Sequence, residues 1–310
     1  MARDRRGVAL MLVLWLIVVL GTIAVSVAAL VRGEATVSAN LRARAAARYA
    51  AESGIVAATA RLTQLLREAT TPRDQALVFR RLDRLLSDIE QERVGAMQFQ
   101  VAVLDLNARL DLNNADEPTL LAFFGQFAPG PEAERLVHAL EDWKDADDDA
   151  LPGGAEAVDY ERAGSPFRPA NRPLQRLDEL TRIKWFSDSL IAAIAPYVTV
   201  QGDGRVNLNT APAPVLAAVM GGDKAAARAL LQQREHGDVF TALTDVRRTR
   251  NGGDFSQVTT MSRRILFVSR GWSPQGGNPL THEIQAVYDL DAVRLGQPRL
   301  TVRFWTERDR

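Results

Sequence analysis

The chain has 310 residues, with 38 Lys plus Arg against 38 Asp plus Glu and 46% hydrophobic residues, so it has no net charge and ample apolar material for a core. It contains no Cys, which excludes disulfides, thiol catalysis and Cys-zinc sites. Balanced charge argues against a dedicated nucleic-acid binder, and His138, His236 and His282 lie far apart, as surface or packing residues rather than as ligands of one metal.

Residues 1–7 read Met-Ala-Arg-Asp-Arg-Arg-Gly and run directly into an uncharged stretch from Val8 to Val31. Those 24 residues, at about 1.5 Å each in a helix, suffice to cross a hydrocarbon core of about 30 Å. The Arg-rich start leaves the rest of the chain outside the cytoplasm by the positive-inside tendency. Three readings fit: a cleavable secretory signal, with small residues at Ser26-Val27-Ala28; an unprocessed signal anchor; and a prepilin, in which a basic leader ends in Gly7. The third alone accounts for the junction itself. In this it resembles type IV pilins and the pseudopilins of type II secretion systems, which implies cleavage after Gly7 by a prepilin peptidase and methylation of the new N-terminus at Val8. Most of that family carries Glu at the fifth mature position, where this chain has Leu12. A subunit without that buried charge cannot pair it with a neighbour's amine. The resemblance is therefore to a tip subunit, the K-type minor pseudopilins (general secretion pathway protein K), rather than to a shaft subunit.

Past the span, Leu41, Ala51, Ile55, Thr59, Leu62 and Leu66 fall near one helical face, with Arg42, Arg44, Arg48, Glu52 and Arg61 on the polar side. The helix is expected to run to about Ala69 and to end before Pro72. Met97, Phe99, Val101 and Val103 alternate with Gln98, Gln100 and Ala102 as in a half-buried strand. Further strands come only after residue 260, at 264–270, 282–290 and 300–304. The strands before and after the intervening stretch must pair across it, giving an α+β fold: a long N-terminal transmembrane pilin helix on a small antiparallel sheet, with a large helical domain inserted into the sheet. The expected divisions are leader 1–7, transmembrane part of the helix 8–31, first part of the pilin-like domain 32–106, inserted helical domain 107–255 and C-terminal strands 256–310.

The insertion contains a repeat. Arg109-Leu-Asp-Leu-Asn-Asn-Ala recurs as Arg205-Val-Asn-Leu-Asn-Thr-Ala, each copy leading to a Pro, at 118 and 214. The Asn-containing steps suit helix caps with Pro in the first turn. Each copy continues as a short apolar helix, a Gly turn and a second helix, the pattern of helix-hairpin-helix units. Such units hold DNA phosphates on turn amides, so a membrane-anchored DNA receptor is an alternative. Against it, Asp223 sits beside the second turn, and Pro129 and Pro131 flank the single Gly130 of the first.

From Glu141 to Glu161 the chain carries nine acidic residues and one base, Lys144. Closely spaced oxygen donors with Gly153 and Gly154 to curl the loop suit Ca²⁺, although a solvated acidic loop explains the composition too. Asp145, Asp147 and Asp149 imitate the opening of an EF-hand and Glu156 falls at its twelfth position, but the sixth is Ala150 instead of Gly. The stretches Asp142-Trp143-Lys144-Asp145-Ala146-Asp147, Gly154-Ala155-Glu156, Tyr160 and Asn171-Arg172-Pro173-Leu174 resemble the K-type pseudopilins. That resemblance implies a structural Ca²⁺ in this loop, with Asp145, Asp147 and Glu156 as its first ligands and Asp142, Asp148, Asp149 and Asp159 as further ligands. It also implies assembly with the I and J minor pseudopilins, contact through them with the major pseudopilin, a single pass through the bacterial inner membrane with the N-terminus cytoplasmic and the C-terminal domain periplasmic, and no nucleic-acid partner. A minor pilin of a related type IV pilus system is the other reading. No nucleophile elbow, phosphate loop or His-Glu-x-x-His motif is present, so no enzymatic activity is expected.

Overall fold

The computed structural model of the protein describes residues 4–86, 91–95, 97–128, 130–244, 256–272, 280–291 and 297–309. Residues 1–3 of the expected leader and position 255, an expected domain boundary, lie outside them. Helix α1, Asp4–Glu68, is continuous over 65 residues, or about 100 Å by the helical rise. Pro72 begins α2 (Pro72–Arg80), after a reciprocal cap in which the Asp74 amide donates to the Thr71 hydroxyl at 3.1 Å and the Thr71 amide donates to the Asp74 carboxylate at 3.2 Å. A short α3, Leu82–Leu85, leads to the sheet.

Five strands form one antiparallel sheet: β1 (Gln91–Val94), β2 (Met97–Asp105), β7 (Arg264–Trp272), β8 (Thr281–Asp291) and β9 (Arg299–Asp309), in that spatial order. Strand β1 was not anticipated, since its sequence Gln-Glu-Arg-Val lacks the alternation that marks β2. The decisive pairing is β2 with β7, Val103 opposite Phe267 and Phe99 opposite Gly271, because it joins strands on either side of the long intervening segment. The sheet face bearing Phe99, Val101, Ile265, Phe267, Ile284 and Ala286 packs on α1 through Ala50, Ala51, Ile55, Ala58 and Leu62. The helix lies close to the sheet because small residues meet there. A Cβ on Gly271 would run into the Ala47 carbonyl and the Ala51 amide, and one on Gly54 would come within 2.9 Å of the Phe99 ring. Leu41, expected on the buried face, is exposed, as the sheet begins only near Ala47.

The remaining elements are β3 (Leu110–Asp111), α4 (Glu117–Phe124), α5 (Pro131–Lys144), α6 (Ala157–Arg162), α7 (Asp188–Ile194), β4 (Val198–Thr199), β5 (Val206–Asn207), α8 (Ala213–Val219), α9 (Lys224–Glu235) and β6 (Val258–Thr259). They enclose a second core of Leu110, Leu120, Phe123, Phe124, Leu140, Trp143, Leu208 and Leu216. The sequence repeat is a structural one. In each copy a two-residue strand pairs in parallel with a distant partner, β3 with β4 and β5 with β6. The repeated asparagines do not cap the helices, contrary to expectation. Asp116 caps α4, accepting from the Thr119 amide at 2.9 Å, and Pro212 stands at the cap of α8 with no side-chain bond. The asparagines clamp loops. The Asn113 amide donates to the carbonyls of Leu174 and Val200 and its oxygen accepts from the Leu174 amide, all within 2.9 Å. Asn209 does the same to Phe240 and Thr260.

A polar seam joins the helical unit to the sheet. The buried Asp105 accepts from the Ser262 hydroxyl at 2.5 Å, the Thr210 hydroxyl at 2.6 Å and the Asn107 amide at 2.9 Å. Burial pushes its carboxyl upward, and these donors oppose the shift. The Asn107 side chain in turn receives the Arg263 and Arg264 amides and donates to Asp203.

Candidate functional site

Two regions hold the residues singled out by sequence, the start of α1 and the loop between α5 and α6. Gly7 and Val8 both lie in the first turns of α1. Leu12 is 64% exposed, within an apolar belt in which Leu10, Met11, Leu14, Trp15 and Ile17 are equally open to the surroundings. Nothing charged interrupts residues 8–31, and the helix is long and apolar enough to cross a membrane.

The acidic loop is positioned by its two flanking helices. Asp142, in the last turn of α5, is fully buried and ties the loop back on itself: its two oxygens accept from the Leu151 amide at 3.2 Å and the Ala155 amide at 2.7 Å. Gly154 is required at this crossing, because a Cβ there would run into the Asp142 carboxylate and lie 3.2 Å from the Leu151 carbonyl. Asp159 receives the Glu156 amide at 3.2 Å and pairs with Arg162 at 3.1 Å, which starts α6. Asp147 receives the Asp149 amide at 3.0 Å, while Asp148 and Asp149 point into solvent. Tyr160 anchors the far side, its hydroxyl accepting from the Lys184 amide at 2.9 Å and its ring 5.8 Å from that of Trp143. Burial pushes the Tyr160 hydroxyl up to about 12.

The electrostatics of this loop are unfavourable as it stands. Glu156 is only 4% exposed, and neither carboxylate oxygen finds a hydrogen-bond partner of good geometry. Burial, then the charges of Asp142 and Asp145, push its carboxyl up to about 7. Asp145 also has a buried, unpartnered oxygen, and burial followed by Asp147 and Asp142 raises it as well. Orphaned buried carboxylate oxygens facing further carboxylates are the donor chemistry a hard cation takes. Among the described residues no three acidic or His side chains are already drawn together as a metal shell. Asp142 and Asp159 are engaged in closing the loop and starting the helix, so Asp145, Asp147 and Glu156 are the members with oxygens to spare.

The paired helical hairpins place their turn amides otherwise than a phosphate site would. Asp223 caps α9, accepting from the Ala225 and Ala226 amides at 2.9 Å, and Pro131 occupies the first position of α5. Sequence reasoning missed the Asn113 and Asn209 clamps and the Asp105–Asn107 seam. The recurrence of Asn at the same place in both copies was the available signal for the clamps.

Two family models, each described as type II secretion system protein K, match residues 102–203 and 206–265, together just over half of the chain. Among curated relatives, the type II secretion system protein K of Dickeya chrysanthemi is 29% identical over 155 residues, 46% of this chain and 40% of the relative. That of Pectobacterium carotovorum is 34% identical over 109 residues, 33% of each chain. That of Aeromonas hydrophila is 37% identical over 82 residues, 26% of this chain and 25% of the relative. The matched stretches thus span two fifths or less of these relatives. A chain in the crystal structure of the GspK-GspI-GspJ complex from the enterotoxigenic Escherichia coli type 2 secretion system shares the fold, with a TM-score of 0.53 at 17% identity, over 83% of this chain and 96% of that one.

Proposed function

We propose, for a chain that belongs to the type II secretion system protein K family, that it is the minor pseudopilin at the tip of a periplasmic pseudopilus, where it starts assembly and stops growth beyond itself. The observation that carries the reading is one combination: an N-terminal apolar helix with Leu12 in place of an acid, continuous with a sheet that bears a bulky helical unit between neighbouring strands. The helix holds the subunit in the bacterial inner membrane with its N-terminus cytoplasmic, and a prepilin peptidase removes residues 1–7 and leaves methylated Val8. Without a Glu to pair with an amine, the helix joins those of the I and J minor pseudopilins by apolar packing alone, and reaches the major pseudopilin through them. The solved neighbour comes from a complex with GspI and GspJ, which supports those partners. Having no motif for catalysis, the chain acts by assembly.

The acidic loop holds a structural Ca²⁺ in this reading, with Asp145, Asp147 and Glu156 as its carboxylate ligands and Asp148 and Asp149 within reach. The unpartnered oxygens of Asp145 and Glu156 support it. The cation supplies charge compensation, and Mg²⁺ suits the site less because it dehydrates reluctantly.

The test is the N-terminal mass of the membrane-extracted chain with and without a co-expressed prepilin peptidase. A peptidase-dependent start at methylated Val8 is expected, and a chain starting at Met1 in both cases removes the reading. Crosslinking to the I and J subunits checks the tip assignment: Leu12→Glu is expected to weaken it, and unchanged yields count against the role given to Leu12.

A further inference from the structure

In the helical unit a cavity of about 490 Å³ opens to the surface, lined by Phe127, Leu136 and Leu190 on its apolar side and by Trp185 and Arg135 at its rim. Its size is that of a ligand site, and its lining is the usual mixture of apolar surface and a few polar groups. Trp185 is unusual in two respects. It holds φ at +74°, a left-handed conformation that a bulky L-residue adopts only when its surroundings impose it, and such residues gather at binding sites. It also leaves its indole exposed, the whole residue being 48% accessible.

Two cations lie against the indole. The Arg135 guanidinium lies 5.6 Å from the ring centroid and the Lys184 ammonium 5.0 Å. Neither forms an ion pair with a carboxylate among the described residues; the one lining carboxylate, Glu132, is not bonded to Arg135. Lys184 is fixed at its backbone and Arg135 along its stem. The Lys184 amide is fixed to the Tyr160 hydroxyl at 2.9 Å, and the stem of Arg135 lies where a Cβ on Gly153 would meet it at 3.0 Å. Two positive charges outside any ion pair lie against an exposed aromatic ring, Arg135 in the lining of the hollow and Lys184 beside it, and they complement a negative group attached to an apolar one.

We propose that this groove docks an extended, acidic peptide segment of a partner protein, in which a carboxylate side chain stands beside an aliphatic or aromatic one. The apolar side chain enters the hollow over Phe127, Leu136 and Leu190, the carboxylate meets Arg135 and Lys184, and the Trp185 ring covers the peptide between them. This goes beyond the tip assignment and does not rest on it.

The experiment uses the full chain in detergent micelles, labelled with 5-fluorotryptophan, and follows its fluorine resonances. The five Trp residues, 15, 143, 185, 272 and 305, supply both reporter and controls, and Trp185→Phe assigns the reporter. The probes are the blocked peptide Gly-Asp-Leu-Asp-Phe-Gly and its counterpart with Asn for both Asp. A saturable shift of the Trp185 resonance by the acidic peptide is expected, about tenfold weaker for the Asn peptide and for the double variant Arg135→Gln/Lys184→Gln. An unchanged Trp143 resonance certifies that this variant folds. A Trp185 resonance unmoved at about 5 mM peptide, equal affinity for the two peptides, or an undiminished response in the double variant overturns the proposal.

Discussion

Removing the proposed Ca²⁺ from the acidic loop is expected to destabilise the helical unit by an amount that its carboxylates set. In the metal-free loop, burial and the neighbouring Asp142 and Asp145 raise Glu156 from 4.5 to about 7. A rise of about 2.5 units at about 1.36 kcal/mol per unit means that the ionised loop carries about 3 kcal/mol of uncompensated charge near pH 7. A cation bound between Asp145, Asp147 and Glu156 removes that penalty. For a unit of this size about 1 kcal/mol corresponds to about 2–4 °C, so excess EDTA is expected to lower Tm by about 6–12 °C and Ca²⁺ to restore it. Calorimetry of the full chain in micelles measures the shift, and the near-ultraviolet circular dichroism of the adjoining Trp143 and Tyr160 rings places it at the loop. Glu156→Gln separates the charge from the fold: in EDTA the variant is expected to melt above the wild type, and it loses most of its response to Ca²⁺. A wild-type Tm indifferent to both reagents refutes the reasoning. So does a Glu156→Gln protein that melts lower in EDTA while keeping the full calcium response.

Three further outcomes follow from the rest of the molecule. Glu283 is 1% exposed, and although burial opposes ionisation, bonds from Arg270, Arg308 and Gln285 hold its carboxyl down to about 2. A depressed acid stabilises above its unfolded value and loses that contribution as pH falls from about 4.5 to about 2; allowing for two half-exposed arginines, about 2 kcal/mol is expected to disappear there. A Tm-pH curve for Glu283→Gln that keeps the wild-type slope in that window defeats this. Asn209→Ala strands the Phe240 amide and the Phe240 and Thr260 carbonyls and is expected to cost about 3 kcal/mol in urea unfolding, more than Asn113→Ala, whose site is less buried. Gly271→Val drives a side chain into the backbone of α1 at Ala47 and Ala51, so α1 is expected to lift from β7 at a cost of about 3 kcal/mol; trypsin cleavage at Arg44 and Arg48 as slow as in the wild type contradicts it.

The legible parts of the sequence were those with a period. Helix α1 and strands β2, β7, β8 and β9 follow from apolar spacing, as does a pairing across the long intervening segment, while the choice of β7 as the neighbour of β2 appears only in the structure. Strand β1 escaped because Gln91, Glu92 and Arg93 carry no alternation; the neighbouring hairpin partner makes it a strand. The repeat was visible as letters, but the work of Asn113 and Asn209 was not, since a clamp closes on loop carbonyls that lie 61 and 51 residues away, and no local pattern encodes such distances. The acidic loop could be read as a concentration of donors. Its internal division, with Asp142 and Asp159 closing the backbone and Asp145 and Glu156 left unpartnered, appears only in three dimensions.

The repeat also explains why the loop needs a device of its own. In the second copy, residues 236–257 suffice to lead from α9 to β6, whereas the first copy uses residues 145–197 to lead from α5 to β4, more than twice the length. The equivalent Asn clamps Phe240 and Thr260 in the second copy and Leu174 and Val200 in the first, so the additional chain on either side of Leu174 must be ordered by other means. Short α6 and α7 bury little, with Tyr160 and Ile194 as their buried residues, and most of the stretch between them has no backbone ladder. Side-chain pegs take over: Asp142 on the Leu151 and Ala155 amides, Tyr160 on the Lys184 amide, and the Trp143 carbonyl accepting from the Asn171 amide at 3.1 Å. These fix the loop from Leu151 onward. The turn at Asp145–Ala150, where the carboxylates crowd, is held by the Asp145 amide on the Glu141 carbonyl at its start and by the Asp149 amide on Asp147 within it, and like charges there favour opening. A cation acting at that turn would close a part of the extra segment that the pegs leave unsupported.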